Sequence, residues 1–382
     1  MLQVIVGHSN DPDSRIAIDD VLEQCSAQLT DTVPQAAILL AAMDFDHGMI
    51  LERINQTFPG IQLIGGTTDG EMSSVLQFQQ DSLVLFLLAS DVVEFTAAVG
   101  RNISRDPMAI AAATARAAKA SAGIPAKLCL TIPESLTTSG VEILAGLKTG
   151  LGSDVAIVGG SAGDQWSFRQ TYQFFNTEVL SDAVPILLLC GQILFGVGLD
   201  SGWTLVGRKG IVTKAVGNKV YTVDDQPIIN FYEDYLGTNV GGLTYRLAVF
   251  EPGKESWYMR SSNGIPEDGA ISFFADVPEQ AQVQVVQADR NSIVSAARSS
   301  ICNALANYPA RQPEAAVFFS CAGRRQVLGT RTKVESEAAQ IIFGNGVPFC
   351  GFYTYGEIAP LQNGSEAQFH NETFVTLLLG TK

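Results

Sequence analysis

The stretch that decides the fold is "IQLIGGTTDGEM" at residues 61–72, where an apolar strand stops at two glycines, a short polar turn and a glutamate. Two later stretches have the same form, "VAIVGGSAGD" at 155–164 and "VPFCGFYTYGEI" at 347–358. Short apolar runs bounded by glycine and polar turn residues are typical of buried strands. The chain therefore contains one feature in three copies.

The similarity extends upstream of each glycine break. Each copy is predicted to run strand, helix, strand, helix, strand, and the copies begin at "LQVIVG" (2–7), "FTAAVG" (95–100) and "AQVQVVQADR" (281–290). After each break a further apolar strand follows a turn too short for a helical crossover, so it is expected to return antiparallel. This pattern predicts an α/β fold with mixed, mostly parallel sheets flanked by helices.

The chain has 382 residues, 46% of them apolar, which is too long for one ordinary domain. The first two copies share the stretch "VVEFTAAVG" and are predicted to form one domain at residues 1–200. Residues 201–280 differ, with a predicted hairpin, a short amphipathic helix and more β-structure. Together with the third copy they are predicted to form a second domain at 201–382.

Composition argues against two classes of partner. The chain carries 24 Lys and Arg against 39 Asp and Glu, a formal charge of −15, and no basic run, so nucleic-acid binding is not expected. No apolar run approaches the roughly 18–20 residues of a membrane span, and the N-terminus lacks a basic signal region. A cytoplasmic protein without a membrane partner is expected. The six cysteines form no CxxC pair and are expected to be buried, reduced thiols.

The stretches "PGIQLIGGTTDGEMSS", "AIVGGSAGD", "FSCAGRR" and "CGFYTYGEIAP", with "HNETFV" after them, resemble the FIST sensory family, with its N-terminal and C-terminal domains. The resemblance covers residues 1 to about 380. It implies a ligand-sensing module of bacterial signal transduction that binds small molecules such as amino acids. The sequence contains no recognisable output domain, so a sensor that acts on a partner in trans is expected.

The opening "VIVGHSNDPDSRIAIDDVLEQC" is similar to a stand-alone branch of that family, which binds haem, senses nitric oxide and regulates a histidine kinase. Haem iron is commonly held by histidine. His8, His47 and His370 each adjoin a predicted strand end where ligands gather, and His8 is slightly favoured as the iron ligand. The remaining candidates by chemistry are Cys321, Cys350, Tyr353 and Tyr355.

An amino-acid sensor without haem is the alternative. Arg324 would bind the ligand carboxylate bidentately, and Glu357 would bind its ammonium group. Glu71 and Asp164 occupy places that correspond to Glu357 after the other two breaks, and each could equally cap backbone N–H groups in a tight turn. Glycines at strand ends would let backbone N–H groups approach a ligand, or would only permit the turn. These glycines are Gly65, Gly66, Gly159 and Gly160.

Catalysis is not expected. Cys321 lies near two arginines in "FSCAGRR", which would lower the pKa of its thiol, and a histidine could serve as its base. The sequence shows neither a Ser-His-Asp pattern nor a nucleophile elbow.

Overall fold

The computed structural model describes residues 1–29, 32–237, 245–250, 253, 255–265, 268–344, 346–362 and 364–381. The helices are α1 (Ser14–Gln28), α2 (His47–Thr57), α3 (Pro107–Ser121), α4 (Gly140–Leu151), α5 (Ile228–Leu236), α6 (Arg290–Asn307), α7 (Ala322–Leu328) and α8 (Val334–Phe343). The strands are β1 (Leu2–Ser9), β2 (Ala36–Ala41), β3 (Gln62–Thr67), β4 (Glu71–Ser73), β5 (Gln77–Gln79), β6 (Leu83–Ser90), β7 (Val93–Arg101), β8 (Ala126–Thr131), β9 (Ala156–Gly160), β10 (Gln173–Phe175), β11 (Glu178–Leu180), β12 (Ala183–Gly191), β13 (Leu194–Asp200), β14 (Thr204–Val216), β15 (Lys219–Val223), β16 (Gln226–Pro227), β17 (Arg246–Phe250), β18 (Trp257–Gly264), β19 (Ile271–Phe273), β20 (Gln282–Gln287), β21 (Ala315–Cys321), β22 (Phe349–Thr354), β23 (Glu357–Pro360), β24 (Ala367–His370) and β25 (Phe374–Gly380).

Three six-stranded sheets share one topology. Their orders are β1-β6-β2-β3-β10-β11, β7-β12-β8-β9-β23-β24 and β13-β25-β21-β22-β4-β5. In each sheet the second and third strands of the unit pair in parallel, and the return strand pairs antiparallel with both of its neighbours. The predicted α/β class with mixed sheets and antiparallel return strands is confirmed. The expectation that the sheets are mostly parallel was wrong, because each of these sheets has one parallel pair among its five strand pairs and the exchanged hairpins pair antiparallel.

Each unit passes a hairpin to a neighbouring sheet. The hairpin β4–β5 of the first unit extends the third sheet beside β22, and β23–β24 of the third unit extends the second sheet beside β9. The hairpin β10–β11 of the second unit completes the cycle by pairing with β3. The three units are therefore related by an approximate threefold axis, and each sheet needs two units to be complete.

The predicted start of the third unit, at residues 281–290, is wrong. That stretch forms β20, which lies in a separate seven-stranded sheet of order β14-β20-β17-β18-β19-β15-β16. The first strand of the third unit is β13, which pairs with β25 as β1 pairs with β6. Residues 204–287 are thus an inserted domain between β13 and α6. Sequence misled here because β20 is also apolar and directly precedes α6, and only pairing distinguishes the two strands.

Within the inserted domain the expected hairpin is β14–β15, and the expected amphipathic helix is α5. The predicted boundary between domains 1–200 and 201–382 falls between β13 and β14. Strand pairing nevertheless crosses it, because β4 lies beside β22 and β9 lies beside β23.

The first helix of each unit begins at an aspartate. Asp13, Asp106 and Asp289 are the N-caps of α1, α3 and α6, and each carboxylate accepts backbone N–H groups of the first turn. Such caps satisfy donors that have no partner within the helix, and each contributes about 1 kcal/mol. Equivalent aspartates thus begin equivalent helices in all three units.

A central apolar core lies where the three sheets face each other. Ile38, Leu130 and Val317 occupy equivalent places in β2, β8 and β21 and meet there with Phe319 and Phe352. The space between them is only about 10 Å³, so the core is closely packed and dry. No helix in the described part of the chain is long and apolar enough to cross a membrane.

Candidate functional site

The three glycine breaks meet at one end of the approximate threefold axis. After each break a backbone N–H donates to the carbonyl of the next unit, so that three hydrogen bonds close a ring. The bonds run from Asp69 N to Tyr353 O (2.9 Å), from Gly163 N to Thr67 O (2.8 Å) and from Tyr355 N to Ser161 O (3.3 Å). The three strand ends predicted from sequence are thus brought together.

Packing accounts for the glycines of the breaks. A Cβ at Gly65 would lie 2.1 Å from the carbonyl oxygen of Leu39, and one at Gly159 would lie 2.1 Å from that of Thr131. Real side chains do not tolerate such distances from backbone. Cβ atoms on the two remaining glycines would also collide, at Gly66 with Ile132 Cγ2 (2.9 Å) and at Gly160 with Thr354 Oγ1 (2.9 Å). All four glycines are buried in protein, and their predicted ligand role stays a prediction.

An open cleft of about 490 Å³ lies beside the ring and takes its walls from all three units. Phe78 comes from the first unit, Trp166 from the second, and Arg325 and Lys333 from the third. The guanidinium of Arg325 lies 5.5 Å from the centre of the Phe78 ring, and its Nη2 donates to Gln80 Oε1 at 2.5 Å. No acidic side chain belongs to the described lining, so the cleft presents two cations and two aromatic rings.

Asp69 lies beneath the cleft and is fully buried. Its Oδ1 is 3.1 Å from Nη1 of Arg325, and its Oδ2 accepts from Trp166 Nε1 at 2.9 Å. Burial raises the pKa of Asp69 to about 7, although Arg325 and Trp166 oppose the rise. Asp69 therefore positions both side chains that line the cleft.

Trp166 is held by a loop with unusual backbone geometry. Trp166 and Phe168 have φ of 64° and 47°, in the left-handed region that such side chains seldom adopt. Asp164 stabilises the loop by accepting the backbone N–H groups of residues 168–170. The hydroxyl of Tyr355 donates to Asp164 Oδ1 (2.7 Å) and accepts from Trp166 N (2.6 Å). Asp164 thus has the capping role that was the alternative to ligand binding.

Arg324 does not line the cleft. Its side chain is fully buried, and its Nε and Nη2 both donate to Glu335 Oε1, at 3.1 and 2.6 Å. Its Nη1 donates to Ser201 O at 2.6 Å. Because successive residues of a helix point about 100° apart, the neighbouring Arg325 enters the cleft instead. Arg324 is thus engaged in the interior of the protein, and its predicted ligand role stays a prediction.

Glu71 and Glu357 occupy equivalent places and anchor the start of the return strand in their units. Glu71 Oε2 accepts from the amide and hydroxyl of Ser82, at 3.2 and 2.5 Å. Glu357 Oε2 accepts from the amide and hydroxyl of Thr373, at 3.0 and 2.8 Å. Both glutamates are fully buried and their pKa is raised by burial, that of Glu71 to about 7. Neither belongs to the lining of the cleft.

The second unit fills the same place with Gln173. Its Oε1 accepts from Ala183 N, the first residue of β12, at 3.1 Å. The expectation that Asp164 corresponds to Glu71 and Glu357 was wrong. The loop before Gln173 is longer than its counterparts in the other units, so counting from the glycines does not reach the equivalent residue.

The three histidines are buried, and each has its own hydrogen-bond partners. His8 Nδ1 and Nε2 are hydrogen-bonded to the hydroxyls of Ser73 (2.8 Å) and Ser82 (2.9 Å), and burial lowers its pKa to about 3. The other two donate from Nε2 to backbone oxygens, His47 to Ala42 (2.8 Å) and His370 to Ala359 (2.9 Å). Among the described residues, no group of three or more His, Cys, Asp or Glu side chains is placed to hold a metal ion.

The further haem candidates are also buried. Tyr353 donates from its hydroxyl to Glu335 Oε2 at 2.5 Å, and Cys350 lies in the central core. The expected low pKa of Cys321 was wrong, because burial, reinforced by Glu357 and Glu372, raises the pKa of its thiol well above the ordinary value. The two arginines after it are engaged elsewhere.

Comparison with known proteins defines the class. A FIST N domain matches residues 35–226, and a FIST C domain matches residues 229–360. The chain therefore belongs to the FIST family, whose domains are small-ligand sensors of signal transduction. The junction between the two matches falls between β16 and α5, within the inserted domain.

Similarity to individual proteins is limited. An uncharacterized protein of Methanocaldococcus jannaschii is 30% identical over 82 residues, which is 22% of this chain and 16% of that protein. Cyanuric acid hydrolase from A. caulinodans is 10% identical with a TM-score of 0.41, over 100% of this chain and 99% of that one. A chorismatase structure is 10% identical with a TM-score of 0.37, over 99% and 98%. Scores of this size support no inference about activity.

Proposed function

We propose that the protein is a sensor that binds a small carboxylate-bearing metabolite, such as an amino acid, in the cleft between Trp166 and Arg325. The proposal rests on the residues that line the cleft, where Arg325 and Lys333 offer positive charge beside the rings of Trp166 and Phe78. Arginine binds carboxylates with two parallel hydrogen bonds. An aromatic wall beside it suits the apolar part of the same ligand.

Ligand binding in the cleft can change the structure of the inserted domain through the loop that carries Trp166. The ring of Phe168 lies 5.4 Å from that of Trp166 and 5.7 Å from that of Phe274, which belongs to the inserted domain. Since the same loop contacts the ligand cleft and the inserted domain, a shift of Trp166 changes the contact with Phe274. A signalling partner such as a histidine kinase would detect this change, and its identity is part of the proposal.

The test is a thermal-shift screen of the full chain against amino acids and small dicarboxylates, followed by calorimetric titration of any hit. A ligand of the native state raises the melting temperature by mass action. Arg325→Gln should weaken binding about tenfold or more through loss of the bidentate contact. Arg116→Gln, which changes an exposed arginine on α3, is the matched control and should bind as the wild type does. A hit that binds equally to Arg325→Gln would contradict the proposed site.

Haem-linked detection of nitric oxide is the second candidate, and His370 is the histidine that favours it. His370 lines a cavity of about 280 Å³ with Met259 and Tyr258, between the inserted domain and the third unit. Its Nε2 donates to a backbone carbonyl, which is the usual second contact of a metal-bound histidine. The arrangement does not fit haem as it stands, because the cavity lies below the roughly 300–1,000 Å³ of small-molecule sites. His8 and His47 do not line this cavity.

Absorption spectra after haem addition test this candidate. A stoichiometric Soret band that is lost in His370→Ala and kept in His8→Ala would support it. A weak band that is indifferent to both substitutions would reject it. We also infer that the cleft binds its ligand without converting it, since no nucleophile with a base beside it is found in the lining as far as the structure describes it.

A further inference from the structure

A second cavity lies on the side of the molecule where β13 passes the start of β8 and β9. It measures about 500 Å³, within the range of small-molecule sites. Val155, Ile157, Phe195 and Val197 form apolar walls, and Lys127 stands among the lining residues. None of these residues belongs to the cleft of the proposed function.

The first unit fills the equivalent place with a side chain. Strand registers make Gln62 equivalent to Ala156, and Ala97 equivalent to Val197. In the first unit the Gln62 side chain crosses to the neighbouring sheet, and its Oε1 accepts from Ala97 N at 3.0 Å. An alkyl stem that ends in a carbonyl-type oxygen thus closes the gap between the two sheets. Ala156 has no such stem, and the cavity lies at that position.

The second unit also lacks a side-chain hydrogen-bond acceptor that the other two units have at another equivalent position. Gln35 accepts from Ser90 N at 2.8 Å, and its counterpart Glu314 accepts from Thr381 N at 2.8 Å. The second unit has Lys127 here, and the corresponding amide, that of Gly191, donates to Pro125 O instead. An ammonium group cannot accept a hydrogen bond. Among the described residues the ammonium group of Lys127 has no hydrogen-bond or ion-pair partner, so its charge is available at the cavity.

From these differences we propose that this cavity binds a small apolar carboxylic acid, whose chain occupies the space that the Gln62 stem fills in the first unit. The acid's carboxylate would pair with Lys127 and take the place of the missing side-chain oxygen near Val197. The other charged lining residues fit this assignment. Lys148 is already paired with Glu366 (3.0 Å). Asp154 adds a negative charge to the lining, which disfavours a ligand that carries two negative charges. Apolar walls supply the rest of the binding energy.

Calorimetric titration of the full chain with octanoate tests the proposal, with 1-octanol as the uncharged probe. The wild type should bind octanoate saturably, with a dissociation constant below about 1 mM. Ala156→Gln should rebuild the closure of the first unit and weaken octanoate binding about tenfold or more. Ala156→Ser leaves the cavity open and should bind as the wild type does. Lys127→Gln should weaken octanoate about tenfold and leave octanol unchanged.

Several results would overturn the proposal: no saturable binding to the wild type, equal binding to Ala156→Gln, or equal loss of octanoate and octanol in Lys127→Gln. If Ala156→Gln fails to fold, Ala156→Leu fills the same space without a polar atom and carries the same expectation. Octanoate binding that is lost in Arg325→Gln would place the acid in the central cleft and also overturn the proposal. Failure here leaves the proposed sensor function intact, because the two sites share no lining residue.

Discussion

Arg324 and Arg325 are neighbours in the chain and belong to two different regions of the molecule. Arg324 is fully buried and joins Glu335 to the carbonyls of Ser201 and Ile293. Arg325 lies at the open cleft and contacts Asp69 and Gln80. The first region joins the third unit to the segment before β14, and the second places a cation in the wall of an open cleft. The difference teaches that a motif locates a region, while burial decides what each of its side chains does.

The comparison predicts its largest effect for Arg324→Ala. Removing one partner of a buried ion pair leaves Glu335 uncompensated and should lower the free energy of unfolding by about 3–5 kcal/mol. Urea denaturation followed by circular dichroism measures the loss. If Arg324→Ala had the unfolding curve of the wild type but bound the ligand more weakly, Arg324 would belong to the ligand site and the comparison would fail.

His8→Ala tests whether His8 belongs with the buried region. The substitution leaves the hydroxyls of Ser73 and Ser82 without their imidazole partner, and we expect a loss of about 1–3 kcal/mol in the free energy of unfolding. His8→Asn, which retains one hydrogen-bonding amide, is the control and should lose less. A normal unfolding free energy in His8→Ala would contradict a structural role.

The pH dependence of stability tests Asp69, whose burial Arg325 and Trp166 partly offset. The pKa of Asp69 is about 7 in the folded protein against an ordinary value of 3.8, so the folded state binds more protons between these values. The free energy of unfolding should therefore fall as pH rises from about 4 to about 7. Asp69→Asn should reduce this slope without abolishing it, since Glu71 also has a raised pKa of about 7. Urea denaturation at several pH values measures the free energy of unfolding of both proteins. If its dependence on pH were the same in Asp69→Asn and in the wild type, the result would count against the buried carboxyl.

The smallest change in stability is expected for Arg325→Gln. Its side chain is 17% exposed and faces an open cleft, whereas that of Arg324 is fully buried, so we expect a smaller fall in the free energy of unfolding than for Arg324→Ala. Side-by-side urea denaturation with Arg324→Ala measures the contrast. A loss as large as that of Arg324→Ala would make both arginines structural and would remove the main support for the cleft.

Much of the fold could be predicted from sequence because the signals are local. Continuous apolar runs ending in glycine located the buried strands, and the spacing of apolar residues located the helices between them. The hairpins β4–β5, β10–β11 and β23–β24 were missed, since each is short and pairs with a strand of another unit. The same limit applied to the site: sequence pointed to "FSCAGRR" and to Arg324, whereas Arg325 lines the cleft.

The sequence by itself determined the α/β class, the three copies of one unit and the family. These follow from periodicity and from motifs that need only their own residues. Only the tertiary structure decided that β13 opens the third unit, that the units exchange hairpins around an axis, and that Gln173 stands where Glu71 and Glu357 stand. The physical reason is that strand pairing and burial depend on partners far along the chain, and a stretch of sequence does not name its partner.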